Sequence, residues 1–282
     1  MSYAATIGFF DGVHRGHRFL LSEMRRTAAL QGLQTAVITF ADHPKAVLDG
    51  RTPPLLTTYD ERIARLREQQ PDEIYCFRFD IIRDMTAAEF MTVLHCQCQV
   101  DTLVMGYDQH FGSDRITDFD DYRRLGEQAG LRLITVPQSP EGDISSSKIR
   151  TLLQQGGLTD ANALLGYEYS LTGKVVHGRG IGSQIGFPTA NIQTPPDKLL
   201  PKAGVYAAVT DGRKAVVNIG TNPTVGGTET TVEMHLPHYD GSLYGETVTV
   251  RLLRRLRDEI TFVDTDALRR QIEQDIEKLD FI

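Results

Sequence analysis

Residues 8–17 read Gly-Phe-Phe-Asp-Gly-Val-His-Arg-Gly-His and follow a short apolar run over residues 4–7. If the chain passes here from a strand into a helix, His14 and His17 project from the first helical turn. The free backbone N–H groups and the positive end of the helix dipole point the same way. The stretch therefore predicts a phosphate site. Its imidazoles must supply the side-chain donors, because the Lys-Ser/Thr pair of a P-loop is missing.

Strand-like and helix-like segments alternate through the first half of the chain. Residues 34–40 are short, β-branched and apolar, as buried parallel strands are. Three more segments resemble them: residues 73–79, 100–106 and 131–136. Helical segments lie between: Tyr59 to Gln69, a helix opened by the capping box Thr86-Ala87-Ala88-Glu89, and Asp118 to Gly130. The alternation predicts a Rossmann-like parallel α/β domain with its ligand site at the carboxyl ends of the strands.

The pattern changes after about residue 165, where short strands and polar turns follow one another. Two hairpins are predicted: residues 205–209 and 215–219 around Asp211-Gly212, and residues 232–236 and 248–253 around Asp240-Gly241. The first Asp-Gly pair is a type I′ turn signal. With a further strand over residues 171–176, these segments predict a small antiparallel barrel or sandwich.

A C-terminal helix follows, with Asp264 or Thr265 as its N-cap. Its apolar stripe consists of Leu268, Ile272, Ile276 and Leu279. The boundary between the halves is expected near the glycines at 156–157 to 166, after a helix that starts around Ser146. We set the two domains at residues 1–158 and 159–282.

A second phosphate element is predicted at residues 144–150, which read Ile-Ser-Ser-Ser-Lys-Ile-Arg. Serines that open a helix, followed by Lys148 and Arg150, can cradle the β- and γ-phosphates of a nucleotide. Alone, a His-x-x-His pair is usually chance and Ser-Ser-Ser is an N-cap. Together and in this order they predict nucleotidyl transfer, an in-line attack on an α-phosphate that needs positioning and charge stabilisation.

The 8–17 stretch resembles the His-x-Gly-His signature of the nucleotidylyltransferase superfamily. It is most similar to the adenylyltransferase module of bacterial bifunctional riboflavin kinase/FAD synthetases. Further motifs occur in that family's order: Phe40-Ala41-Asp42-His43-Pro44, Gly106-Tyr107-Asp108-x-x-Phe111-Gly112 with Arg115, and residues 144–150. The resemblance implies that His14 and His17 are catalytic. It also implies a set of ATP-binding residues: Gly8, Phe9, Phe10, Asp11, Gly12, Gly16, Asp108, Ser146, Ser147 and Arg150.

The sequence departs from this family's pattern at three places. Phe9 stands where many members have Asn, and Ser147 stands where Thr is common, which keeps the hydroxyl. Gln109-His110 replace a more usual aromatic residue or His followed by Arg.

A glycine-rich loop and an oxygen-ligand pair mark the second half. Residues 177–192 read His-Gly-Arg-Gly-Ile-Gly-Ser-Gln-Ile-Gly-Phe-Pro-Thr-Ala-Asn-Ile. Thr189 and Asn191 offer a hydroxyl and an amide oxygen, which suit Mg²⁺ beside phosphates and waters. From the residues alone, the stretch is either a structural glycine-rich turn or a phosphate loop.

Residues 186–191, Gly-Phe-Pro-Thr-Ala-Asn, resemble the riboflavin kinase signature of the same family. Its other motifs follow in order: residues 204–206, 218–224, 232–235, 243–245 and 256–259. The resemblance implies a six-stranded antiparallel β-barrel and Mg²⁺–ATP held by Thr189 and Asn191. It adds further nucleotide-binding residues, Gly178, Gly180, Gly182, Gly186 and Pro188, and flavin-binding residues, Arg257, Glu259 and Phe262. Ser183 departs from the pattern, since many members carry Arg there.

The resemblance makes Glu233 the general base that accepts the proton of the ribityl 5′-hydroxyl. From the residues alone, Glu233 is an exposed strand acid in a cross-strand pair. The expected function is phosphorylation of riboflavin to FMN, then adenylylation of FMN to FAD with release of pyrophosphate. Substrates are riboflavin, FMN and ATP, and the metal is Mg²⁺.

Composition limits the function classes. The formal charge is −7, and no basic cluster stands out, which argues against a nucleic-acid partner. No apolar run approaches a membrane span, no signal peptide is evident, and three cysteines suit a reducing compartment. We expect a cytoplasmic protein, monomeric or weakly homo-oligomeric.

Two alternatives stay open at this point. The N-terminal half could use another acceptor, such as a nicotinamide or pantetheine phosphate. The chain could also be a flavin- or nucleotide-binding regulator with a decayed active site, for which Ser183 and Gln109-His110 leave room.

Overall fold

The computed structural model describes residues 2–178, 182, 185–224 and 227–281. The chain divides into two units, Met1–Ser146 and Ser147–Ile282. Helix α7 (Ser146–Gln155) precedes the segment in which the sequence predicts the boundary, residues 156–166, and helix α8 (Leu158–Leu165) occupies it. The functional boundary between residues 158 and 159 stays a prediction.

The first unit is built on a five-stranded parallel sheet. Its strands are β1 (Tyr3–Ile7), β2 (Gln34–Phe40), β3 (Glu73–Phe77), β4 (Val100–Gly106) and β5 (Arg132–Val136), in the spatial order β3-β2-β1-β4-β5. Its helices are α1 (Arg15–Gln31), α2 (Pro44–Asp49), α3 (Tyr59–Glu68), α4 (Phe79–Ile82), α5 (Ala87–Cys98) and α6 (Phe119–Ala129). The predicted parallel α/β fold is confirmed. The third strand is shorter than predicted, because a helix begins at Phe79.

This sheet is buried on both faces because consecutive strand residues point to opposite sides. In β2, Ala36 and Ile38 belong to one core cluster and Val37 belongs to another. The first cluster includes residues of α5 and the second includes residues of α1: Met91 and Leu94, and Leu21 and Met24. The chain continues from β1 to β2 on one side, and β4 pairs with β1 on the other. The carboxyl ends of β1 and β4 therefore form the switch point at which such sheets bind ligands.

The second unit is a closed antiparallel barrel of six strands. They are β6 (Ser170–Val176), β7 (Thr189–Gln193), β8 (Gly204–Thr210), β9 (Arg213–Thr224), β10 (Gly227–His235) and β11 (Thr247–Arg257). Their order around the barrel is β10-β7-β6-β11-β8-β9. The predicted six-stranded barrel is confirmed.

One of the two predicted hairpins is confirmed and the other is wrong. Thr210 pairs with Arg213 across Asp211 (φ 46°) and Gly212 (φ 74°), and two positive φ values are the mark of a type I′ turn. The strands around Asp240-Gly241 do not pair with each other, since β10 pairs with β7 and β9, and β11 pairs with β6 and β8. Barrel closure gives each strand its two neighbours, so no edge is left for the predicted pair.

The C-terminal helix, α9 (Thr265–Glu277), begins where the sequence predicts. The Ala267 amide donates to the Asp264 carboxylate at 2.7 Å, which makes Asp264 the N-cap. The predicted apolar stripe divides into two parts. Ile276 and Leu279 pack against barrel residues, whereas Leu268 and Ile272 line a cavity. Within the described ranges, none of the helices combines the length and the apolar character needed to cross a membrane.

The capping box of α5 gives a test of local stability. The Thr86 hydroxyl accepts from the Glu89 amide at 3.3 Å, and the Glu89 carboxylate accepts from the Thr86 amide at 2.8 Å. Thr86→Ala should lower the free energy of unfolding by about 1 kcal/mol in urea titrations, because a helix-terminal N–H loses its partner. Thr92→Ala, an exposed change inside the same helix, is the control and should cost less. Equal losses would contradict the capping role.

Candidate active sites

The loop after β1 has an uncommon backbone. Phe10 (φ 58°), Gly12 (φ 79°) and Val13 (φ 37°) all have positive φ values, which are costly for a β-branched residue such as Val13. A short 3-10 turn over Asp11–Val13 leads to His14, the N-cap residue of α1. Such a conformation persists only where surrounding contacts hold it.

The buried carboxylate of Asp11 stabilises this loop conformation. It accepts from the Leu56 amide at 3.0 Å, the Thr57 amide at 3.0 Å and the Thr57 hydroxyl at 3.1 Å. The Thr57 hydroxyl also accepts from the Gly12 amide at 2.9 Å. Hydrogen bonds to a carboxylate are among the stronger ones in proteins. Asp11 therefore ties the loop to residues 56–57.

The two histidines form a stacked pair. Their ring centroids are 3.6 Å apart at an interplanar angle of 18°, and the His17 amide approaches His14 Nδ1 at 3.3 Å. Because Nδ1 accepts this bond, neutral His14 carries its proton on Nε2. Burial, reinforced by the charge of His14, lowers the pKa of His17 well below its ordinary value. His17 Nδ1 is buried without a hydrogen-bond partner in the described part of the chain, so it is open to a polar ligand.

Gly16 and Ser146 bring residues 144–146 against this loop. A Cβ at Gly16 would lie 3.2 Å from both His14 Nδ1 and the Ile144 carbonyl oxygen, so a side chain would crowd the histidine. The Ser146 hydroxyl donates to the Asp11 carbonyl at 3.0 Å. Ser147 and Arg150 lie on α7 in the second unit.

A buried arginine explains the first departure from the family pattern. The Arg62 guanidinium lies 3.7 Å from the centroid of the Phe9 ring, and its Nη2 donates to the Phe40 carbonyl at 2.6 Å. Burial lowers the pKa of Arg62, and the Asp11 charge opposes this shift. The His43 ring contacts Phe9 edge-on, with centroids 4.6 Å apart. An aromatic ring at position 9 thus covers a buried cation. In the sequence, Arg62 is one of several charged residues of α3, so no pattern there predicts that it is buried.

Gln109, a second departure, lies at the switch point of the sheet. Its amide nitrogen donates to the Ile7 carbonyl at the end of β1, and its amide oxygen accepts from the Gly106 amide at the end of β4 at 3.1 Å. Asp108, beside it, is exposed in the turn after β4. Gln109 therefore has a structural contact of its own at this position.

The barrel contains a cavity of about 300 Å³. It is lined by seven of the residues predicted to bind substrate or to act in catalysis: Gly182, Thr189, Asn191, Glu233, Arg257, Glu259 and Phe262. Residues predicted to bind the nucleotide, accept a proton and bind flavin thus share one space. Gly178, Gly186 and Pro188 do not line it, and Gly180 and Ser183 lie outside the described residues.

Strand register places the polar groups of this cavity side by side. Glu233 of β10 stands directly opposite Asn191 of β7 and Asn218 of β9, and His235 stands opposite Thr189. Glu233 is half-buried, and amides rather than cations face it on both neighbouring strands. The role of Glu233 as general base stays a prediction.

Small residues let the polar side chains approach the backbone. A Cβ at Gly178 would overlap the Asn191 amide, and a Cβ at Gly220 would overlap the Glu259 carboxylate. A Cβ at Gly182 would lie 3.3 Å from the Thr189 hydroxyl oxygen. The glycines therefore fix the space in which these donors and acceptors lie.

The oxygen donors at the cavity fit a hard cation. Thr189 and Asn191 are two residues apart on β7, so both point to the face that carries Glu233. Hydroxyl, amide and carboxylate oxygens are ligands that Mg²⁺ accepts alongside phosphate oxygens and water. In the described ranges no group of three or more His, Cys, Asp or Glu side chains is arranged to hold a metal by itself.

A second cavity, of about 220 Å³, lies against the same strand. Thr189 lines both cavities. The other lining residues are mainly apolar and include Val175, Pro188, Leu236, Leu243 and Tyr244. The Tyr244 ring stacks on His177 with centroids 4.1 Å apart.

The pKa of His17 gives a pH test. Above its ordinary pKa of 6.5 the residue is neutral in both folded and unfolded chains; below it, the unfolded chain takes up the proton first. The contribution that neutral His17 makes to the free energy of unfolding above pH 6.5 is therefore lost as the pH falls. In urea titrations at about pH 7 and about pH 5, His17→Gln should lose less free energy of unfolding between the two pH values than the unaltered chain does. His110→Gln, at an exposed ring, is the control. A His17→Gln chain with the unchanged pH dependence would contradict the lowered pKa.

Known protein families and individual relatives match nearly the whole chain. Residues 2–149 match the FAD synthetase family, and residues 165–282 match the riboflavin kinase family. The chain is 36% identical over 280 residues to the bifunctional riboflavin kinase/FMN adenylyltransferase of Escherichia coli (strain K12), covering 96% of this chain and 89% of that protein. It is 34% identical over 282 residues to the protein of the same name from Pseudomonas fluorescens, covering 96% and 90%.

A solved structure described as a macrolide-efflux protein from Streptococcus pneumoniae has a similar fold. Its TM-score is 0.87 at 31% identity, covering 98% of this chain and 93% of that one. Both halves of the sequence thus match families of known chemistry in the predicted order. The chain therefore belongs to the bifunctional riboflavin kinase/FMN adenylyltransferases and combines a FAD synthetase with a riboflavin kinase in one polypeptide.

Proposed function

We propose that the barrel cavity phosphorylates riboflavin to FMN and that the loop of His14 and His17 joins FMN to AMP from a second ATP, giving FAD and pyrophosphate. The observation that carries the kinase assignment is the single cavity shared by Thr189, Asn191, Glu233 and Arg257. The domains responsible are residues 159–282 for the kinase step and residues 1–158 for the adenylyl transfer.

In the kinase step, Glu233 accepts the proton of the ribityl 5′-hydroxyl as the oxygen bonds to the γ-phosphorus and ADP leaves. A primary alcohol is a poor nucleophile, and a carboxylate beside it removes the proton as the bond forms. Thr189 and Asn191 would hold Mg²⁺, which supplies charge neutralisation on the phosphate oxygens when bound. Asn191 and Asn218 stand opposite the base on the two neighbouring strands, where amides can orient a carboxylate.

The two cavities of the barrel suit the two substrates. The apolar cavity with the stacked ring of Tyr244 accepts the base of ATP, and the cavity with Arg257, Glu259 and Phe262 accepts the flavin. Thr189 lines both, so the phosphates would pass over β7 between them. The glycines that precede β7 in the sequence would give those phosphates close access to the backbone: Gly178, Gly180, Gly182 and Gly186.

In the adenylyl transfer, a phosphate oxygen of FMN attacks the α-phosphorus of ATP, and the bond to pyrophosphate breaks. His14 donates from Nε2 to a phosphate oxygen, and the buried Nδ1 of His17 finds a ligand partner. The loop glycines and the N-terminus of α1 add backbone N–H groups that face the growing charge. Asp11 acts by holding the loop. Asp108, Ser147 and Arg150 stay predicted ligands of the nucleotide.

ATP is the phosphate donor in both steps, and Mg²⁺ serves both. The described cysteines, Cys76, Cys96 and Cys98, are all free thiols, which suits the reducing cytoplasm. The chain works as a monomer or weak homo-oligomer. A regulator without turnover would bind flavin but leave riboflavin unchanged in the presence of ATP and Mg²⁺.

Two substitutions should separate the two steps. His17→Ala should reduce FMN-to-FAD conversion by at least about 100-fold, because the reacting phosphates lose a donor, and should spare FMN formation. Glu233→Gln should reduce FMN formation by about 100-fold or more and spare the conversion of added FMN. Chromatography of flavins after incubation with ATP and Mg²⁺ measures both. Loss of both steps in either variant would contradict separate sites.

Gly220 gives a test of the flavin cavity. Gly220→Ala should displace the Glu259 carboxylate, which is the end of a flexible side chain, and raise the KM for riboflavin several-fold. FMN adenylylation should not change. Gly212→Ala is the control, because it strains a turn (φ 74°) with open space around it and lies away from the cavity. A riboflavin KM that rises equally in both variants would indicate a general loss of stability instead.

A further inference from the structure

A buried acid on the C-terminal helix contacts the flavin-binding arginine. Asp275 is 1% exposed and lines the barrel cavity. Its Oδ2 accepts from Arg257 Nε at 2.8 Å. A buried carboxylate is costly unless it is paired, so this contact needs its partner in place.

The helix itself holds the carboxylate in position. Asp275 Oδ1 accepts from Gln271 Nε2 at 3.2 Å and from Lys278 Nζ at 3.1 Å. These residues lie four positions before and three positions after Asp275, which puts them on the same helix face. One carboxylate oxygen is thus held by α9 and the residue that follows it, and the other is presented to the end of β11.

Two contacts orient the guanidinium of Arg257. Nε pairs with Asp275, and Nη1 donates to the Asp258 carbonyl at 3.0 Å. The planar guanidinium is fixed by two such bonds. Nη2 has no hydrogen-bond partner in the ranges that the structure describes, and the side chain lines the cavity. The carbonyl oxygens and ring nitrogens of a flavin are acceptors for such a donor.

We infer that Asp275 is a positioning residue for the riboflavin kinase site: it fixes Arg257 so that Nη2 points a donor at the flavin ring, and it thereby makes the C-terminal helix part of the flavin subsite. This inference rests on the proposal that the cavity takes riboflavin. It assigns to α9 a role in substrate affinity, beyond covering the barrel with Ile276 and Leu279.

The test measures both activities of the 282-residue chain. Asp275→Asn, which keeps the shape and removes the charge, should raise the KM for riboflavin about tenfold, as loss of a charged hydrogen bond does, with kcat changed less than about twofold. FMN adenylylation by the same preparation reports on the amount of intact protein and should not change, and the retained kcat of the kinase step reports on the folding of the barrel. Lys278→Gln is the matched control, since it removes the other cation on Asp275 and leaves the Arg257 contact, and it should leave the KM within about twofold.

A double-mutant cycle separates positioning from a general structural effect. If Asp275 acts through Arg257, Asp275→Asn should add nothing to the riboflavin KM of Arg257→Gln. Additive effects, or an unchanged KM in Asp275→Asn while Arg257→Gln raises it, would overturn the inference. An unchanged KM in Arg257→Gln would instead reject the flavin assignment of the cavity. If Asp275→Asn does not fold, Arg257→Lys, which keeps the charge but loses the Nε contact, should show the same rise in KM with adenylylation intact, and an unchanged KM would again overturn the inference.

Discussion

The buried carboxylate of Asp11 is the contact on which the N-terminal site depends. The loop after Phe9 contains two residues with side chains at positive φ, Phe10 and Val13, and that backbone is costly. Asp11 stabilises it by accepting hydrogen bonds from the backbone of residues 56–57. In this turn, His14 caps α1 and stacks on His17. The loop of the proposed phosphate site is therefore held by one buried acid, whose carboxylate bonds to residues 56–57.

The barrel cavity also has a buried carboxylate that holds a neighbouring group. Asp275 is a buried acid that contacts a neighbouring element and leaves a donor of Arg257 toward the substrate space. In each half, the polar groups of the site lie at the ends of strands or opposite one another on neighbouring strands. A buried carboxylate behind them fixes their orientation. Rigid support of this kind is what keeps reacting groups within the small tolerances that catalysis requires.

Features that depend on neighbours in the chain are predicted well from the sequence. Features that depend on contacts between distant segments are not. The capping box at Thr86 and the turn at Asp211-Gly212 are set by neighbours in the chain, and the structure confirms both. The wrong hairpin around Asp240-Gly241 has the same turn signal, but its strands find partners elsewhere in the closed barrel. Arg62 and Asp275 sit on helices as charged residues, which are usually solvated; their burial depends on partners from distant segments. The motif residues lining the barrel cavity came from the family resemblance, since composition alone left their role open.

Mixing two single-site variants tests the central claim, that each half holds a complete site of its own, most directly. A chain with His17→Ala and a chain with Glu233→Gln would be combined with riboflavin, ATP and Mg²⁺, and flavins followed by chromatography. The mixture should form FAD although neither chain does so from riboflavin alone, because the FMN that one chain releases is adenylylated by the other. No FAD from the mixture, with FMN accumulating unused, would contradict it.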